Sequence, residues 1–221
     1  AGTVLVIETS TEAGSVAIAR DGDLVAETSF MSREATTGVR TEALAPAVAR
    51  CLAAASLSAR DVTAVVCDAG PGGFTSLRSA AALAKGMCFA LGVPLFAVSS
   101  LEVLAWSAEL PEGSYIAALH AGRNEWFSAD VQCDADGIVT TSNAQLVSDD
   151  ELRARADRSH VQLVGPGLDR DAHPRAASVV SRLSTVLASG AVDLDLWEPA
   201  YGRLAEAQVK WEAAHGRPLT V

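Results

Sequence analysis

No stretch of the chain approaches the roughly 20 consecutive apolar residues that a membrane-crossing helix needs. The four cysteines, Cys51, Cys67, Cys88 and Cys133, contain no CxxC pair, and three lie within apolar segments. That pattern suits reduced, buried packing residues better than disulfides or metal ligands. His120, His160, His173 and His215 form neither HExxH nor an i, i+4 pair, so a helical zinc site has no support. Positive charge is also short: 17 Lys and Arg face 27 Asp and Glu, a formal net charge of -10. Such a surface repels phosphate backbones, so a nucleic acid would be held by a more basic partner. The opening AGTVLVIETS lacks the charged region and cleavage site of a secretory signal, and the expected compartment is the cytosol. Aromatic residues make up only 5% of a chain that is 49% hydrophobic. A folded core built largely from alanine and branched aliphatics predicts helices lying close to a sheet or to one another.

What is present reads as alternating strands and helices. Val4–Ile7, Ser15–Ala19 and Leu24–Phe30 are short strands joined by the polar turn Thr9–Gly14 and the Asp21-Gly22 hairpin turn, a β-meander. A helix is expected over Thr41–Ser56, where Leu44, Val48, Cys51, Leu52 and Ala55 share a face and Pro46 places the start of the regular helix close to itself. Val62–Cys67 is a strand, Thr75–Leu91 a helix ending at Gly92-Val93-Pro94, Leu95–Val98 a strand, and Ser99–Trp106 opens a third helix. The second half repeats the scheme more loosely. Strands are expected at Tyr115–His120, Glu125–Cys133, Ile138–Thr141 and Val161–Val164, and helices at Asp149–Arg155, Ala176–Ser189 and Leu204–Ala214. The chain thus divides into two α/β units, residues 1–103 and 104–221, each opening with strands.

Two segments carry polar chemistry. Ile7-Glu8-Thr9-Ser10-Thr11 places hydroxyls and backbone N–H groups at a strand-to-strand turn, which suits either a phosphate or an ordinary polar hairpin. Gly70-Pro71-Gly72-Gly73-Phe74-Thr75-Ser76-Leu77-Arg78 joins a strand to a helix, a position that can serve an anion, a partner or only a tight crossover. It is not a Walker A loop, a GxGxxG turn or a GxSxG elbow. Thr75 suits the N-cap. Thr9, Ser10, Gly72 and Gly73 are therefore the weak candidates for holding a nucleotide. The helix beyond the loop is apolar nearly all round, with Leu77, Ala81, Ala84, Met87, Cys88 and Leu91 on one face and only Arg78, Ser79 and Lys85 as the main polar breaks. Such a helix is covered on more than one side, by the sheet and then by a neighbouring helix or another protein. No catalytic set is localised.

Taken together these segments resemble the TsaB (YeaZ-like) family, actin-like-fold relatives of the TsaD enzyme of tRNA threonylcarbamoyladenosine synthesis. The opening IETSTEAGSVAIARDG resembles the family's first meander, and TEALAP the entry to its first helix. GPGGFTSLRSAAALAKGMCFALGVPLFAVSSLEVLA resembles its hallmark loop, helix and following strand. AGRNEWF is a weaker echo of a second-domain turn, and EPAYGRLAEAQ resembles the C-terminal Pro-x-Tyr-x-Arg segment.

The resemblance implies two actin-like (RNase H-like) domains, each a mixed sheet flanked by helices. It also implies a non-catalytic subunit that pairs with a TsaD-like transferase, works with a TsaE-like ATPase, and meets tRNA only through the complex. The partner contacts it implies lie on first-domain helices carrying Leu44, Val48, Leu77, Ala81, Ala84 and Cys88. A homodimer through the same helices is open to the chain alone. No cofactor is expected, although ATP or ADP at the partner junction is conceivable. Glu8 stands where the family has aspartate, Gly73 where it has serine, Ser76 where it has glycine, Arg40 where histidine is common and His120 where aspartate is frequent. These departures weaken a nucleotide site more than they weaken the fold. The competing expectation is an actin-like ATPase or small-molecule kinase using Glu8, Thr9, Ser10 and the Gly72-Gly73 loop; a metallopeptidase lacks the paired histidines it needs.

Overall fold

The computed structural model describes residues 2–31, 44–135, 137 and 139–201. Arg40, the first residues of the Thr41–Ser56 helix, the Leu204–Ala214 helix and the end of the EPAYGRLAEAQ segment lie outside them.

β1 (Thr3–Glu8), β2 (Ala13–Arg20) and β3 (Asp23–Met31) form an antiparallel meander. After α1 (Leu44–Ala54), β4 (Ala64–Asp68) pairs parallel with β1. α2 (Phe74–Leu91) then leads to β5 (Leu95–Val98), parallel to β4. The resulting order is β3-β2-β1-β4-β5. Every residue of β1 and of β4 is buried, as expected for central strands covered on both faces.

Alternation along β1 divides the core. Leu5 and Ile7 point to one face, with Val65, Cys67, and Ala47, Val48, Cys51 of α1 and Ala80, Ala84, Cys88 of α2. Val4 and Val6 point to the other face, with Val66, Phe96 and Val98. That second face is covered from the far end of the chain, by α5 (Ala176–Val180) and α6 (Leu183–Ala188) through Ala176, Val179, Val180, Leu183 and Val186. A division at residue 103 therefore leaves part of the first sheet's core on the other side of the cut.

α3 (Ser100–Ser107) connects to the second sheet. β6 (Gly113–Gly122) and β7 (Glu125–Cys133) form its long hairpin. β8 (Val139–Thr141) and β9 (Gln145–Ser148) pair in turn with the two halves of β7, and β10 (Gln162–Val164) runs parallel to β6. α4 (Asp149–Ser159) covers one face. The fold is α/β, two mixed sheets flanked by helices.

Several boundaries move. Gly73, not Thr75, is the N-cap of α2, and Phe74 and Thr75 already belong to the helix. The helix expected over Asp149–Arg155 runs on to Ser159, where His160 turns left-handed at φ 53° and ends it. The helix expected over Ala176–Ser189 breaks into α5 and α6, because Arg182 leaves the helical region at φ -116°, ψ 12°.

Candidate functional site

The polar turn after β1 and the glycine loop after β4 meet where two adjacent parallel strands end. Glu8 closes β1 and Asp68 closes β4, and both carboxyls are fully enclosed. The Thr9 backbone N–H donates to Asp68 Oδ2 at 3.1 Å and its hydroxyl to Asp68 Oδ1 at 3.4 Å. The Ser10 N–H donates to Glu8 Oε1 at 2.8 Å, and the Ser10 hydroxyl donates to the same oxygen. From the facing loop, Gly73 N–H donates to the Ser10 carbonyl at 2.9 Å. A Cβ on Gly72 would lie 2.5 Å from the Ser10 carbonyl oxygen and 2.7 Å from its Cα, so glycine there is what lets the two segments close. Gly73 is different: a Cβ would meet nothing nearer than Ser76 Oγ at 3.7 Å.

The four nucleotide candidates are thus brought together, but against each other. The N–H groups of Thr9, Ser10 and Gly73 are the donors that would cradle a phosphate, and each is satisfied within the chain. Two buried carboxyl groups stand behind them and take the Thr9 and Ser10 donors, which leaves those donors unavailable to an anion. Burial raises Glu8 well above the usual carboxylate range, with Asp68 adding repulsion. Burial likewise pushes Asp68 up to about 7.

A third segment completes the region. After α6 the chain crosses back over α2, with Val192 N–H donating to Leu95 O at 2.9 Å and Lys85 Nζ to Trp197 O at 3.0 Å. Ala200 N–H donates to Ala69 O at 2.7 Å, and the Tyr201 ring sits 4.7 Å from that of Phe74. The Arg78 guanidinium lies over the Phe74 ring, 5.4 Å from its centroid. Gly70, at φ 81°, faces Ala200 so closely that a Cβ would fall 2.3 Å from its carbonyl oxygen. The hallmark loop and the Pro199-Ala200-Tyr201 segment, far apart in sequence, are one packed unit.

The expected partner residues divide differently. Val48, Leu77, Ala81, Ala84 and Cys88 are all buried in the chain's own core, and Leu44 is half-buried against it. Helical spacing finds the α2 face that the first sheet uses. The solvent side carries Thr75, Ser79, Ala82, Gly86, Phe89 and Ala90, with Phe89 82% exposed. Leu196, in the returning segment next to Trp197, is 80% exposed.

Asp68 and the returning segment are what sequence reasoning missed. A carboxylate closing the run Val62–Cys67 is the available signal for Asp68; no local pattern announces that residues 197–201 pack on residues 69–74. The second half contributes less. His120 is exposed, edge-on to Trp126, and accepts from Gly122 N–H at 3.2 Å. Arg123 and Asn124, both at positive φ, make the β6–β7 turn. Among the described residues the four cysteines are free and buried, and no three His, Cys, Asp or Glu side chains converge as metal ligands. No described helix is long and apolar enough to cross a membrane.

Residues 38–147 match the family described as TsaD, tRNA N6-adenosine threonylcarbamoyltransferase. The Escherichia coli K12 tRNA threonylcarbamoyladenosine biosynthesis protein TsaB is 31% identical over 151 residues, 67% of this chain and 63% of its own length. The chain thus spans somewhat under two thirds of that relative. The Bacillus subtilis protein of the same name is 26% identical over 95% of this chain and 97% of its own. Among solved structures, an uncharacterized Pseudomonas aeruginosa protein with similarity to peptidase YeaZ superposes with a TM-score of 0.75 at 26% identity, over 92% of this chain and 100% of that one. A hallmark loop packed against Pro199-Ala200-Tyr201, and relatives named TsaB, one of them along nearly the whole length, place the chain in the TsaB/YeaZ family.

Proposed function

We propose that the chain is a non-catalytic subunit of tRNA threonylcarbamoyladenosine synthesis that binds and supports a TsaD-like transferase through the outer face of α2. One observation carries this reading: an 18-residue helix, fixed on its inner side by the first sheet, leaves Ser79, Ala82, Gly86 and Phe89 along its solvent side. Small side chains let a second helix approach closely, and Phe89 supplies an anchor worth about 2–3 kcal/mol when buried. The TsaD-type match covers α1 and α2, so a TsaD-like partner would bring a related helix pair to the contact. In this reading the Glu8–Ser10 and Gly70–Gly73 segments hold α2 in place, since their donors are already used within the chain. The net charge of -10 favours reaching tRNA through the partner. A TsaE-like ATPase completes the proposed assembly, and a homodimer through the same face is its expected form when the partner is missing.

Co-purification with a TsaD-like protein, with mass measurement of the chain alone and with the partner, tests this. The expected result is a mixed pair that Phe89→Asp abolishes while the variant keeps its fold. No complex under any nucleotide condition would sink the proposal. The kinase alternative predicts saturable Mg-ATP binding by the isolated chain, which calorimetry would register as heat.

A further inference from the structure

The Glu8 and Asp68 carboxyls sit at the ends of adjacent parallel strands. Among the described residues, no Lys, Arg or His makes a hydrogen bond or ion pair with either. The other titratable groups that face them are acids too: the thiols of Cys67 on β4 and, beyond it, Cys88 on α2, both raised chiefly by burial. Glu8 Oε1 accepts from both Ser10 donors, whereas Glu8 Oε2 is buried with no partner. An ionised oxygen left bare in a dry interior is far more costly than a protonated one. Two ionised carboxyls in that interior would add their repulsion to it.

We propose that Glu8 and Asp68 form a proton-holding pair that latches the Thr9–Ser10 turn against the Gly70–Gly73 loop and loosens as the pair ionises. On Glu8 the proton lies on Oε2, the oxygen that accepts nothing, while Oε1 receives the two Ser10 donors. Because Gly73 hangs from the Ser10 carbonyl and is the N-cap of α2, the pair's protonation is linked to the position of that helix.

The direction of the pH effect is set by which state holds the proton. The unfolded chain releases carboxyl protons near pH 4, whereas in the folded chain burial raises Glu8 well above that range and Asp68 to about 7. Stability is therefore greatest below the unfolded value and falls as pH rises towards 7. For Asp68 alone, the unfolding constant is expected to rise on the order of a hundredfold between about pH 5 and pH 8.

The test is a carbon-detected NMR titration of the side-chain carboxyls in the wild-type chain, with amide exchange measured at Thr9, Ser10 and Gly73. The expected result is at least one carboxyl that stays protonated above pH 6, and loss of Gly73 protection, relative to core amides, as it ionises. Glu8→Gln and Asp68→Asn, where they fold, should flatten the pH dependence of unfolding. Both carboxyls ionised at pH 5 would overturn the proposal. So would a bound metal ion with the pair charged, or Gly73 protection that is unchanged while the pair titrates.

Discussion

The inner and outer faces of α2 are built from nearly the same small residues and behave as different surfaces. Leu77, Ala80, Ala81, Ala84 and Cys88 are enclosed by the first sheet and its neighbours, whereas Ser79, Ala82, Gly86 and Phe89 meet solvent. Both faces look apolar in sequence, so periodicity finds the face the fold needs. Only packing distinguishes it from the face left free. The comparison breaks most sharply at Leu77, which is wholly buried and lies against the Gly70 end of the loop. Leu77→Ala is expected to cost about 2–5 kcal/mol in a denaturation experiment. Phe89→Ala, on the other side, should stay within about 0.5 kcal/mol of wild type. Equal losses at the two positions would mean that Phe89 is packed and the faces are not distinct.

The same contrast between committed and spare positions appears within the loop. Gly72 touches the Ser10 backbone, while Gly73, its neighbour, has room. Gly72→Ala must push the turn and loop apart, with an expected loss of about 1–3 kcal/mol. Gly73→Ser should be nearly neutral, within about 0.5 kcal/mol, because a serine side chain meets only ordinary contacts. A chemical-denaturation midpoint for each variant decides the matter. A Gly72→Ala chain as stable as wild type would show that the close approach to Ser10 can relax freely.

These positions also show how much of the molecule is legible in its sequence. The strand-rich opening and the α1 and α2 faces come from periods of two and 3.6, which local sequence records directly. The hallmark loop is visible as a strand-to-helix turn, and Gly72 and Gly73 as residues of interest. Their unlike roles are hidden, because the difference lies in Ser10, some sixty residues earlier. Asp68 is hidden for a similar reason: a single carboxylate after a strand has no periodicity, and its meaning comes from Glu8 on the adjacent parallel strand. α5 and α6 completing the first sheet's core, and Tyr201 packing near Phe74, are contacts across roughly eighty residues or more. No window of sequence contains both partners.

The smallest expected effect is the most informative about the outer face. Gly86 stands in the interior of α2 with nothing within 4 Å of where a Cβ would be. In the isolated chain Gly86→Ala should stabilise by about 0.5–1 kcal/mol, since glycine has more backbone freedom to lose on entering a helix. That gain is expected of an open face whatever the face is for. Under the proposed function the same methyl group stands where a partner helix would come close, so the substitution should weaken the mixed pair while strengthening the chain. Measuring both on one variant separates two ideas that a destabilising mutation would confound. A more stable chain that binds a TsaD-like protein less tightly assigns Gly86 to the contact. A more stable chain with unchanged affinity would keep the face open in the folded protein but move the contact elsewhere, towards Phe89 and Leu196. A less stable chain would mean that the outer face is already covered, and that the two faces of α2 are more alike than their exposure indicates.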